Sequence, residues 1–174
     1  MPRLLAPVAF ALSIAAVPAA IQAAPGAAAS APIVSSSGTD VGYATVSVKK
    51  GKAVLSIAVT GVSEGPHGLH LHTTGKCGRP AFTDAGGHLN PGGHQHGTLN
   101  PAGSHLGDLP NLVVSASGEA RGEVVLNGKP KDVMAALFDA DGTAIVIHAG
   151  PDDYRTDPTG NSGGRIACGV FSRN

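Results

Sequence analysis

Tryptophan is absent from this chain, and its other aromatics come to 4 phenylalanines and 2 tyrosines. A core without large rings has to be built from Val, Ile, Leu and Ala, and that favours short strands over long helices. Charge is scarce as well: 14% of residues are Asp, Glu, Lys or Arg, and the formal net charge is zero. The few cations are scattered, so no basic face is offered to duplex DNA or to an anionic membrane. Neither nucleic acid nor a stable membrane association is expected. No window beyond the N-terminal leader holds a long 3.6-residue period, which leaves little room for long amphipathic helices. What is plentiful is glycine (25) and proline (13), the residues of turns. At 174 residues with 42% apolar content, the chain suits one globular domain with its own core.

The first residues read as an address rather than a fold. Arg3 supplies a positive start, Leu4 to Val17 is nearly all apolar and uncharged, and AAIQAAPGAAAS is rich in small residues. That order is the order of a secretory signal peptide, here over 1–23 with cleavage near Ala23. Pro18 interrupts the run before the roughly 20 residues that a membrane anchor needs. A flexible mature N-terminus is expected over 24–38, with the folded domain over 39–174. Export, to the periplasm or further as a secreted protein, gives the two cysteines an oxidising setting. Cys77 and Cys168 lie 91 positions apart and have no competitor, so one disulfide is the simplest reading, two buried thiols the other.

Strand signals follow in series. TDVGYATVSV and KAVLSIAVTGV flank the polar turn KKGK; NLVVSASG and EARGEVVLNG read as a second hairpin; AALFDADGTAIVIHAG repeats the form around Asp141–Gly142. An antiparallel β-sandwich or barrel is expected. Two stretches, 73–111 and 149–164, lack strand pattern, and loops of that length in a compact domain are usually functional.

The 8 histidines mark where the function lies. His67, His70 and His72 fall within PHGLHLH. His88, His94, His96 and His105 lie in the first long loop, and His148 ends the last hairpin. In an extended LHLH, His70 and His72 share a face, while His67 points to the other if the strand is regular. An imidazole set suits Zn, Cu, Fe or Ni, and one without thiolate or carboxylate favours copper. Histidines joined by one aspartate, as His105 and Asp108 offer three apart, suit zinc.

GPHGLHLHTTGKC, GGHLNP, HLGDLPN, VIHAGPDDY and GNSGGRIACGV, in this order from about Thr39 to Phe171, closely resemble the exported bacterial copper–zinc superoxide dismutases. The resemblance implies a Greek-key antiparallel β-sandwich or barrel of about eight strands with two long functional loops. It implies one copper ion held by His70, His72, His88 and His148. It implies one zinc ion held by His88, His96, His105 and Asp108, with the His88 imidazolate bridging the two. The family's spacing of eight from the bridging histidine selects His96; HQH is itself a same-face pair if extended, which keeps His94 as the alternative.

Arg165 matches the arginine that guides superoxide to copper, and with His88 it forms the catalytic pair. Asp152 matches a carboxylate hydrogen-bonded to one copper and one zinc histidine, its neighbour Asp153 being the alternative or a loop cap. His67 matches a structural histidine beneath the copper strand, while Asp157 reads only as a turn former before Pro158. The implied reaction converts superoxide to O2 and H2O2 by Cu(II)/Cu(I) cycling, with His88 as local proton donor, in defence of an exported compartment. The implied assembly is a monomer or homodimer. A dismutase-like carrier or buffer of copper and zinc, without catalysis, is the alternative; it need not keep Arg165 or the bridge.

Overall fold

The computed structural model describes residues 27–174; the leader expected over 1–23 lies outside them. Among the described residues the chain forms ten strands, one short α-helix and one 3-10 turn at Thr83–Ala85. In order the strands and the α-helix are β1 (Ala29–Ser35), β2 (Asp40–Lys49), β3 (Lys52–Val59), β4 (Gly65–His67), β5 (Leu69–His72), β6 (Leu112–Val114), β7 (Ala120–Val125), α1 (Pro130–Leu137), β8 (Ala144–His148), β9 (Arg165–Val170) and β10 (Ser172–Arg173). No helix among the described residues is long and apolar enough to cross a membrane.

Every strand ladder is antiparallel, and the main sheet runs β5-β8-β9-β1-β2-β3-β7 with β10 also on β1. Neighbours in space are thus often far apart in sequence, as a Greek-key path requires. Strand β4 runs into edge strand β5 with only Gly68 between them, and β6 turns into the opposite edge strand β7. Pairing of β4 with β6 therefore curls the sheet towards closure. The expected all-β fold is the one observed.

Alternation explains the layering. Leu69 and Leu71 of β5, Ile145 and Ile147 of β8, Ala167 of β9 and Ile33 of β1 enter one core with Leu55 and Ile57 of β3. Each large aliphatic chain so buried stabilises by about 1.5–3 kcal/mol. The other face of β8 and β9 carries Ala144, Val146 and Cys168, which pack with Phe82 and Ala85 of the first long loop. Both faces are therefore covered, and the site lies on the loop-covered one. Cys77 and Cys168 are joined by a disulfide, with Cα atoms 5.7 Å apart.

Three expectations are corrected. Residues 24–38 are not all a flexible lead: Ala29, Ala31 and Ile33 are fully buried, and β1 sits between β9 and β2. Small residues there allow close packing of strands, which composition alone disguises. The turn at Ser115–Glu119 exists, but β6 pairs with β4 and β7 with β3, so it divides two sheets instead of closing a hairpin. The apolar stretch before Asp141 is helical: Pro130 opens α1 and Val133 and Leu137, one turn apart, bury its inner face.

Candidate metal centre

His70 and His72 lie on the opposite side of β5 from Leu69 and Leu71, against the 73–111 loop. There His70 bridges Asp108 and His72 bridges His88 through the backbone. His148 ends β8, opposite Arg165 and beside a register shift at Ile147–His148. One ring nitrogen from each of His70, His72, His88 and His148 falls within 4.8 Å of the others, and all four residues are buried.

In every one of these rings the second nitrogen is held. His70 Nε2 donates to Asp152 Oδ2 at 2.8 Å, His72 Nδ1 to the Gly86 carbonyl at 3.0 Å, and His148 Nδ1 to the Gly163 carbonyl at 3.1 Å. His88 Nδ1 lies 3.0 Å from Asp108 Oδ1. What remains is His70 Nδ1, His72 Nε2, His88 Nε2 and His148 Nε2, all buried and without a hydrogen-bond partner. A buried nitrogen left unsatisfied costs about 1–3 kcal/mol, so four that converge call for a common partner. A cation with a taste for imidazole supplies one.

Proton affinity agrees. Burial lowers His72 to about 2, His148 to about 3 and His88 to about 4 from the ordinary 6.5. Burial also lowers His70, against the raising pull of Asp152. Neutral imidazole is the form that binds metal.

A second cluster shares His88. The Nδ1 atoms of His88, His96 and His105 each stand 3.0 Å from the single oxygen Asp108 Oδ1. His88 Nδ1 and His96 Nδ1 are themselves 3.2 Å apart. Three ring nitrogens crowd one oxygen with two lone pairs, an arrangement that a cation among them would satisfy better than protons. Asp108 Oδ2 accepts the backbone N–H groups of Gly97 and His105 at 2.8 and 3.0 Å. Burial would raise the Asp108 carboxyl, but the bonds from His88, Gly97 and His105 hold it well below the usual carboxylate range. His70 also comes within 4.8 Å of His88, His96 and Asp108, its ring stacked 3.8 Å from that of His88. Its Nε2 is taken by Asp152, whereas His105 Nδ1 meets the same Asp108 oxygen as the other two, and so His105 is the better fourth member.

Asp152 joins the clusters, with Oδ2 on His70 Nε2 and Oδ1 on His96 Nε2 at 3.0 Å. Burial opposes its ionisation, yet the bonds from His70, His96 and the Tyr154 N–H lower its pKa. Asp153 is exposed and receives Thr156 Oγ1, the N–H groups of Thr156 and Arg155, and Asn161, as a loop cap does. His94 is exposed and belongs to neither cluster. His67 is buried at the end of β4, its Nδ1 2.7 Å from the His148 carbonyl and its Nε2 2.9 Å from that of Ser63.

Arg165 is half-buried on β9, donating through its two terminal nitrogens to the carbonyls of Phe82 and Gly86, both at 2.6 Å. Gly86 also receives His72, so one carbonyl fixes guanidinium and ring together. Its charge reaches the cluster, disfavouring protons on His72 and His148. Of five N–H donors, three find no acceptor among the described residues. Sequence reasoning missed Asn111, whose amide clamps the Asp152 backbone at 2.8 and 2.9 Å, and the Gly86 and Gly163 carbonyls. Backbone acceptors and a loop asparagine carry no sequence signal of their own.

The family model for copper/zinc superoxide dismutase matches residues 41–171. The superoxide dismutase [Cu-Zn] of Caulobacter vibrioides is 40% identical over 143 residues, covering 80% of this chain and 82% of that protein. Superoxide dismutase [Cu-Zn] 2 of Aquifex aeolicus is 39% identical over 142 residues, 80% and 83% of the two chains. A SOD-like protein from Bacillus subtilis has a similar structure, with a TM-score of 0.76 at 35% identity over 81% of this chain and 96% of that one. The Cu/Zn superoxide dismutase from Brucella abortus aligns at 0.65 and 29% identity, covering 81% and 97%. Since the match spans both histidine clusters and the arginine, and relatives agree over four fifths of its length, this chain belongs to the copper/zinc superoxide dismutase family.

Proposed function

We propose that copper is held by His70, His72, His88 and His148 and zinc by His88, His96, His105 and Asp108, and that Arg165 and His88 serve the dismutation of superoxide. The orphaned buried nitrogens of the first cluster are the observation that carries this reading. They offer four neutral imidazoles and no carboxylate or thiolate, a donor set that favours copper. The second set, with three imidazoles and one carboxylate, suits tetrahedral zinc. When bound, copper supplies the Cu(II)/Cu(I) couple, which oxidises one superoxide to O2 and reduces a second, with two protons, to H2O2.

The protein's own groups do the rest. Arg165 draws the anion in, and the carbonyls of Phe82 and Gly86 keep its guanidinium from collapsing onto it. The Gly86 and Gly163 carbonyls and Asp152 fix which nitrogen of His72, His148 and His70 faces the centre. His88 has one nitrogen in each cluster, and Nε2 is where a proton can be held and passed to the reduced substrate. All of these groups come from one chain, so a monomer and a homodimer are equally competent. Export to the periplasm, or beyond it, rests on the leader-like residues 1–23 and the disulfide.

Metal analysis with a dismutation assay on copper- and zinc-reconstituted protein tests the reading. One copper and one zinc per chain with activity is expected. Both metals bound without activity would assign a metal carrier instead.

A further inference from the structure

In the sequence, Asp157 promised no more than a turn. In the structure its Oδ1 accepts the backbone N–H of His96 at 2.6 Å, across 61 positions. His96 is held at three points. Asp157 takes its N–H, Asn100 Nδ2 donates to its carbonyl at 3.0 Å, and Asp152 Oδ1 takes ring Nε2 at 3.0 Å. Only Nδ1 is left, and it faces Asp108 and His88. Two of the three grips are carboxylates of the 149–164 loop, so the second loop holds a ring that belongs to the first.

The two loops are fitted to each other around this ring. Gly97, with φ of +104°, has the Tyr154 carbonyl where a side chain would begin. Gly160 stands likewise against Asp152 and the His96 ring. The Leu99 N–H donates to the Tyr154 carbonyl at 3.0 Å, and Arg155 returns a bond to the Leu99 carbonyl at 3.3 Å. No other member of either cluster is bonded to Asp157: His105 takes its backbone anchor from Asp108, and His72 and His148 take theirs from carbonyls.

We propose that Asp157 is a positioning residue for zinc: its carboxylate fixes the His96 backbone so that Nδ1 stays aimed at the ion, and it sets how long zinc is retained. This rests on His96 being a zinc ligand. A hydrogen bond to an ionised acceptor is roughly twice as strong as a neutral one, and losing such an outer partner typically weakens metal affinity about 10–100-fold.

The test uses the copper- and zinc-loaded protein and the variants Asp157→Ala, Asp157→Asn and His96→Ala. Zinc release to a chelator is timed, and the visible spectrum of cobalt(II) placed in the zinc site is recorded. Asp157→Ala is expected to release zinc about tenfold faster or more, with an altered cobalt spectrum and copper retained. Asp157→Asn keeps an acceptor oxygen without the charge and is expected to recover most of the loss, leaving release about threefold fast. Should the alanine variant not fold, the asparagine variant decides alone, and wild-type zinc release in it would overturn the proposal. Wild-type zinc release and cobalt spectrum in Asp157→Ala, or an asparagine variant as poor as alanine, would overturn the proposal. Wild-type zinc release in His96→Ala would instead overturn the ligand assignment beneath it.

Discussion

Burial decides the chemistry of individual rings before any ion arrives. In the unfolded chain His72, His88 and His148 take up protons near pH 6.5, whereas in the folded one they refuse them until about 2, 4 and 3. Between those limits the unfolded state binds more protons than the folded state, so stability falls as pH falls. Each ring contributes a slope of up to about 1.4 kcal/mol per pH unit below pH 6.5 and none well above it. Asp108 and Asp152, whose pKa values are lowered, add to the loss in the same direction at lower pH. Metal-free protein should therefore melt several degrees lower at pH 5 than at pH 7, as read by circular dichroism. Replacing His72 by Gln should shrink that difference. Equal melting temperatures at the two pH values would show that these rings are not held neutral by burial.

Elements were legible in the sequence where one periodicity ruled and obscure where two could. LHLH alternates cleanly, and β5 sends leucines one way and histidines the other, as period two requires. Gly68 breaks that period, which is why His67 ends a different strand in a different sheet. The Ala- and Pro-containing β1 resembled linker, because buried small residues are invisible to a hydrophobicity reading. MAALF is too short to separate helix from strand by pattern, and Pro130 with the i, i+4 pair Val133 and Leu137 settled it as helix. The proposed metal ligands were legible through motif order and a family resemblance, whereas contacts between loops, such as Asp157 with His96, join residues that no periodicity relates. The disulfide is the covalent form of such a contact. It ties the first loop, at Cys77, to β9, which also carries Arg165. The same loop supplies the Phe82 and Gly86 carbonyls that hold the guanidinium. Replacing Cys77 and Cys168 by Ser should lower stability by up to about 4–5 kcal/mol in denaturant titrations, the chain-entropy figure for so long a loop. Freed to move, those carbonyls should orient Arg165 less well, so the dismutation rate should fall while copper content holds. A destabilised variant with full activity per copper would separate the loop tie from the arginine.

At the scale of the whole molecule, charge is nearly balanced. Residues 24–174 hold 11 of the 12 basic residues, Arg3 alone lying before them, against all 12 acidic ones. A net charge of −1 neither attracts nor strongly repels an anion at long range, and screening at physiological salt confines any field to roughly 8 Å. Local attraction of superoxide is then the expectation, with Arg165, whose charge reaches His72 and His148, as the proposed guide. In the wild-type protein kcat/KM should fall as salt rises, because one near-site charge is progressively screened. In Arg165→Ala the rate should be lower at low salt and almost flat with salt, while copper and zinc contents stay unchanged. Stopped-flow or pulse-radiolysis decay of superoxide across a salt series separates the cases. If Arg165→Ala keeps the wild-type salt slope, guidance comes from charges distributed over the surface, and the balance of the whole molecule conceals an asymmetry that its net charge does not report.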